Sequence, residues 1–364
     1  MARARAVSAA PVAACWPVLA LCALAVFGGA AGCARDAAAR ERRRGAVQEA
    51  MKQVLSRRLA EWRTAAESLQ RAAPVPAGRG WDTVADAQSL AAMRGEWARG
   101  RTAYERIEGA VAPLFPESDV ATDSRYEGFL VKLGSVGDPA PFDGQGVVGM
   151  HAIERILWAD AIPPEVARFE RALPGYRSPA FPADAAQARA FKNDLVGRLV
   201  DDIRTLGAQL APLELDVAFA FRGLFDLAVE QKEKVVKAAT GEEESRYAQA
   251  TMRDLRANLN GCREVYEIFR PWVLGTRGGD AVDASVTAAF GRVEVAYGAV
   301  PGDAFPQPPA TWSALQPSVG DRATAFGRLY TTVERETDTD VPGSLVAALA
   351  TVAAHLELPA ALLR

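Results

Sequence analysis

The sequence predicts an all-α protein made of up-and-down helical bundles, with two four-helix bundles packed together. Three observations lead there. Apolar residues recur at steps of three and four over long stretches, which is the period of a helix face. Pro- and Gly-rich segments separate those stretches, as short connections between antiparallel helices do. No stretch alternates apolar and polar residues for long enough to build a sheet.

Residues 1–32 read as a bacterial lipoprotein signal. Arg3 and Arg5 give a positive start, Pro11 to Gly29 is apolar, and Ala30-Ala31-Gly32 precedes Cys33. A small-residue cleavage site directly before Cys makes Cys33 the lipidated first residue of the mature chain. The body then lies in the cell envelope, on the periplasmic side, held to a membrane by lipid. The alternative, an uncleaved membrane-spanning anchor, fits Pro17 and the small residues before Cys33 less well. The leader carries two of the 42 basic residues and none of the acidic ones, so 40 basic groups face 45 acidic groups in the body. That balance speaks against nucleic acid as a partner. Cys15 and Cys22 fall in the leader and Cys33 at the anchor, leaving Cys262 alone in the body, without a disulfide partner.

About 330 residues remain, enough for two bundle halves, approximately 36–172 and 184–362. The first helix spans about 36–72, Ala-rich and charged, and ends before Pro74 and Pro76. The second spans about 83–112 on the seam Leu90, Met93, Trp97, Gly100, Tyr104, Ile107, Val111. A Pro-, Gly- and Asp-rich loop covers 113–144. A helix follows over 146–160, with His151 and Glu154 three residues apart on one face. After a loop with five prolines, helices are expected over 184–210, 213–238, 242–273 (seam Leu255, Leu259, Cys262, Tyr266, Phe269), 281–298, 317–336 and 342–358.

A helical His-x-x-Glu pair grips a metal ion with an imidazole from one turn and a carboxylate from the next. His151 is one of only two histidines in the chain; the other, His355, lies in the last predicted helix. Glu105 and Glu108 border the seam of the second helix, Asp123 lies in the next loop, and Glu242-Glu243-Glu244 opens the 242–273 helix, where carboxylates suit the helix dipole. Glu233 precedes it. There is no Gly-rich phosphate loop, no Ser-centred nucleophile elbow and no Cys pair for zinc.

Taken together these residues resemble the imelysin family, and within it the EfeO-type periplasmic iron-uptake proteins. Tyr104-Glu105-Arg106-Ile107-Glu108 is similar to the family's Tyr-Glu-x-Ile-Glu, Asp123-Ser124-Arg125 to its Asp-x-Arg, and Gly149-Met150-His151-Ala152-Ile153-Glu154 to its Gly-x-His-x-x-Glu. Thr240-Gly241-Glu242-Glu243, Tyr247, Asp254, Asn258 and Gly261 follow its later signature, closed by Arg270-Pro271. The chain departs from the pattern at Ala248-Gln249, where the family has Ser-His, and at Thr251 and Arg253, where it has Asp and Trp. It also leaves no room after Cys33 for the amino-terminal cupredoxin domain that EfeO proteins often carry.

The resemblance implies a metal-binding cleft lined by Glu105, Glu108, Asp123, His151 and Glu154, with Glu233 and Glu243 as further candidates. One imidazole among carboxylates suits iron, as Fe2+ or Fe3+, or another divalent ion, better than copper(I) or structural zinc. The expected protein is a monomeric, lipid-anchored binding protein and not an enzyme, with an iron permease as its candidate partner. A metallopeptidase, suggested by the family's peptidase name, lacks a second His for zinc. A polysaccharide-binding role is the third reading.

Replacing Cys33 by Ser should leave the body in the soluble fraction or the leader uncut. Fractionation of cells checks this, and membrane association of a cleaved Ser variant would contradict lipidation.

Overall fold

The computed structural model describes residues 17–359, with side chains from Ala37 onward, so residues 1–16 of the leader and the Cys33 side chain lie outside the described residues. Those residues form helices and no strands: α1 (Pro17–Ala72), α2 (Ala87–Glu105), α3 (Glu108–Leu114), α4 (Pro116–Asp123), α5 (Tyr126–Leu133), α6 (Gly149–Leu157), α7 (Pro164–Arg171), α8 (Ala185–Ala190), α9 (Val196–Leu210), α10 (Val217–Ala238), α11 (Thr251–Leu274), α12 (Gly279–Gly298), α13 (Val319–Arg322), α14 (Ala325–Glu336) and α15 (Leu345–His355). The all-α expectation holds. Among the described residues no helix is long and apolar enough to cross a membrane.

The chain divides into two compact units, Met1–Ala46 and Val47–Arg364. The second holds one continuous apolar core. The seams read from the sequence are buried in it: Leu90, Met93, Trp97, Tyr104, Ile107 and Val111 from α2 and α3, and Leu255, Leu259, Cys262, Tyr266 and Phe269 from α11. Burying one such large side chain contributes about 1.5–3 kcal/mol. Cys262 is a free thiol in this core, and burial pushes its pKa up. Helix α11 packs on α2, α10 and α12, and α10 packs on α3.

Local chemistry sets the helix starts. Asp184 accepts from the Ala186 and Gln187 N–H groups at the head of α8, and Asp216 from Ala218 and Phe219 at the head of α10. Pro116 and Pro164 occupy the first positions of α4 and α7, where a missing N–H costs nothing.

Three expectations are corrected. The 113–144 segment is not all loop; it holds α3's end, α4 and α5. The 83–112 helix is broken at Arg106-Ile107, because Asn258 of α11 donates to the Glu105 carbonyl at 2.8 Å and so gives the freed acceptor a partner. The 242–273 helix begins only at Thr251. Residues 239–250 are an irregular buried segment in which Glu243, Glu244, Ser245, Arg246 and Tyr247 are all inside. Their side chains find partners in the core, and this outweighs the preference of carboxylates for a helix start.

Helices α3 and α10 cross with their backbones in contact. A Cβ on Gly223 would lie 1.9 Å from the Gly109 carbonyl oxygen, whereas one on Gly207 of α9 would meet nothing within 4 Å. Gly223→Ala should therefore lose about 1–3 kcal/mol in urea unfolding, as an overpacked core does. Gly207→Ala should be neutral or stabilising by about 0.4–1 kcal/mol.

Candidate metal centre

Helix α6 organises the site. All nine of its residues are buried, charged ones included, so each polar group needs a partner. Arg155 finds Glu170, with contacts at 3.0 and 3.1 Å, and lies over the Tyr126 ring. His151 finds Glu154, one turn on, Nδ1 to Oε2 at 2.9 Å. The helix starts at Gly149 with φ +84°, and a Cβ there would lie 2.5 Å from the Thr122 carbonyl oxygen. Only glycine permits that approach, and it brings the end of α4, with Asp123, against His151.

The other half of the site comes from the 239–250 segment. The Tyr247 and Ala248 N–H groups both donate to Glu154 Oε1, at 3.0 and 2.9 Å. Gln249, in the left-handed region at φ 51°, turns the chain there. Its amide ties back to Glu243 Oε1 and the Arg246 carbonyl, at 2.9 and 2.8 Å. The turn delivers Glu244 to the imidazole.

Asp123, His151 and Glu244 thus offer one ligand atom each, all within 4.8 Å of one another. From His151 Nε2 it is 3.5 Å to Asp123 Oδ1 and 3.9 Å to Glu244 Oε2. His151 Nε2 is buried and has no hydrogen-bond partner. Burial, followed by the nearby Arg101 charge, holds the imidazole well below its ordinary pKa, so it is neutral. One proton lies between Nδ1 and Glu154. Burial pushes the Glu154 carboxyl up to about 8, against the pull of the Ala248 N–H. Once Glu154 is ionised the proton sits on Nδ1, and Nε2 presents a lone pair to two carboxylates. A carboxylate holding one imidazole nitrogen so that the other faces outward is the usual support of a metal-binding His. The seat fits a cation: a lone pair beside two acidic oxygens lacks positive charge.

A second cluster lies alongside. Glu105 and Glu108 surround the buried Lys234, whose Nζ is 3.4 and 2.8 Å from them, and Asn258 Nδ2 donates to both at 2.5 and 2.8 Å. Burial, then the Glu105 charge, pushes Glu108 up to about 8. The buried Arg101 joins the clusters. It pairs with Asp123 and Glu105, and approaches Glu244 at 3.3 Å and Asp254 at 3.7 Å. Glu244 is held below the usual carboxylate range, because Lys234, Arg125 and Arg101 outweigh the burial that raises it. Six carboxyl groups (Glu105, Glu108, Asp123, Glu154, Glu244, Asp254) therefore share Arg101, Arg125 and Lys234. With Glu108 and Glu154 largely neutral near pH 7 the charges are nearly matched, and ionising Glu154 creates a negative excess that a divalent or trivalent ion would balance.

Of the residues singled out in the sequence, the structure brings Asp123 and His151 together and sets Glu154 behind the imidazole as its support. Glu105 and Glu108 face Lys234 and Asn258. Glu243 stands one residue from the candidate ligand Glu244, bonded to Gln249, its carboxyl pushed to about 7 by burial. Glu233 is exposed and pairs with Lys237. His355 contacts Thr276 Oγ1 at 2.5 Å and is outside the cluster. Glu244, Arg101 and Lys234 were missed. Arg101 carries a signal, standing four residues before Glu105 on one helix face, whereas Glu244 is hidden in a run of three glutamates.

Residues 53–325 match the family described as imelysin, which carries the label peptidase M75. Among solved structures, an imelysin-like protein from Psychrobacter arcticum 273-4 shares the fold, at 14% identity and a TM-score of 0.54, over 88% of this chain and 96% of that one. No curated protein matches the sequence.

With only two histidines in the chain, the His151 tautomer can be read directly. At pH 9, above the Glu154 value, nitrogen-15 spectra of the metal-free protein should show a neutral imidazole protonated at Nδ1. Glu154→Gln should move the proton to Nε2, since an amide N–H would then donate to Nδ1. An unchanged tautomer would show that Glu154 does not orient the ring.

Proposed function

This chain belongs to the imelysin family, and we propose that within it the protein is an envelope lipoprotein that binds iron as cargo for uptake, in the manner of the EfeO-type proteins it resembles. The observation that carries the reading is the buried, unpartnered His151 Nε2 facing Asp123 and Glu244. A donor set of one imidazole and two carboxylates, with no sulfur among them, suits iron or a similar divalent or trivalent ion.

Arg101 makes the seat reversible. In the metal-free protein it pairs with Asp123 and approaches Glu244, and it retains Glu105 and Asp254 when those oxygens turn to an ion. A site for cargo has to exist both empty and filled, and a guanidinium that neutralises the empty state serves that need. Attachment of lipid at Cys33 would hold the protein at a membrane, close to a permease that accepts the ion. The peptidase reading draws on the family label alone. Asp123 and Glu244 are held by arginines and His151 by Glu154, and the arrangement supports binding without requiring hydrolysis.

Calorimetric titration with iron tests this. His151→Ala and Glu244→Gln should each weaken binding by roughly tenfold or more, as lost ligands to a charged centre do, with helix content unchanged. Binding should release a proton at pH 7, because the ion requires the ionised Glu154 that burial disfavours. Affinity should therefore fall as pH drops from about 8. Equal affinity in parent and both variants would place the iron elsewhere.

A further inference from the structure

A cavity of about 900 Å3 lies between α1 and α2 and is bordered by Arg253 of α11. It is lined by four arginines, and two of those charges are already answered within or beside it. Arg57 pairs with Glu264 at 2.6 Å, and Arg99 pairs with Glu96. The groove's remaining acid, Glu61, pairs with Arg58 at 2.8 Å.

Arg106 and Arg253 are different. Arg106 Nε, and both Nε and Nη2 of Arg253, are buried without a hydrogen-bond partner. Arg106 has no ion pair among the described residues. The acid nearest Arg253 is Asp303, 3.6 Å away, its side chain 53% exposed. The guanidinium of Arg253 lies 5.7 Å from the Trp97 ring centroid, which fixes its plane. Arg106 is left with no counter-charge and Arg253 with only the exposed Asp303, an incomplete neutralisation for two partly buried guanidinium groups. Planar guanidinium groups with free N–H donors fit the paired oxygens of carboxylates and phosphates.

We propose that this groove binds a small compound carrying two negative charges on oxyanion groups, a phosphate ester or a dicarboxylate, through Arg106 and Arg253. The groove lies on the face of α2 bearing Ala98 and Thr102, with Arg106 just past the helix end, whereas Arg101 and Glu105 serve the metal centre from the same helix. The proposal stands without the iron reading, since neither arginine is bonded to a metal-centre carboxylate; the Arg253 charge acts on its neighbour Asp254 only at a distance.

Calorimetric titration of the full chain with glycerol 3-phosphate and, separately, with succinate, without added iron, tests it. Saturable one-to-one binding is expected in at least one arm, and the arm that binds identifies the oxyanion class. Arg106→Gln and Arg253→Gln should each weaken that binding by roughly tenfold or more. Thr64→Glu, an exposed change on the groove wall, should weaken it with both arginines in place, which covers the case in which a Gln variant loses the parent's circular dichroism. Absence of binding in both arms, or binding that all folded variants retain at the parent's strength, would overturn the proposal.

Discussion

The structure of the site depends on a single constraint, the orientation of the His151 ring by Glu154. That contact links α6 to the 239–250 segment, because the other oxygen of Glu154 is held by the Tyr247 and Ala248 N–H groups. Tyr247 to Glu170, Arg246 to Glu127 and Ser245 to Asp254 anchor the rest of the segment, and Arg101 and Arg125 hold Glu244, so the Glu154 contacts set where these anchored groups meet the imidazole. A buried carboxyl is costly to ionise, and here the two backbone donors and the imidazole N–H offset that cost only in part, leaving Glu154 at about 8. The same contact decides which imidazole nitrogen faces Asp123 and Glu244 and whether it can donate electrons.

Around this contact the fold supplies rigidity. The α6 start at Gly149 is fixed against α4, and the α2 break is filled by Asn258 of α11. The broken helix frees the Glu105 carbonyl and lets Glu105 and Glu108 face Lys234 together. Arg101 lies between the two clusters, so the charge state of one is felt by the other. Removing either cationic side chain would leave carboxylates buried without a partner, and that cost falls on the whole unit.

Helical periodicity made the core legible in the sequence. The seams Leu90 to Val111 and Leu255 to Phe269 are buried as their spacing required. Asp123, His151 and Glu154 were legible as motifs, although the sequence gives all three as candidate ligands and the structure gives Glu154 to the imidazole. Glu244 was not legible, because its role arises from an irregular turn that places Gln249 at positive φ. No periodic signal encodes such a turn, and the three-glutamate run reads as a helix start. The partners of Glu105 and Glu108 were hidden for a related reason: Lys234 lies within an apolar helix face, where a lysine ordinarily reaches for solvent.

The claim on which the account rests is that an ion sits at His151 Nε2. X-ray absorption at the iron edge, on iron-loaded protein prepared without a histidine tag, measures it most directly. The account predicts one imidazole among oxygen ligands in the parent and none in His151→Gln. Iron bound with no imidazole in the parent, or with the imidazole retained in the variant, would contradict it.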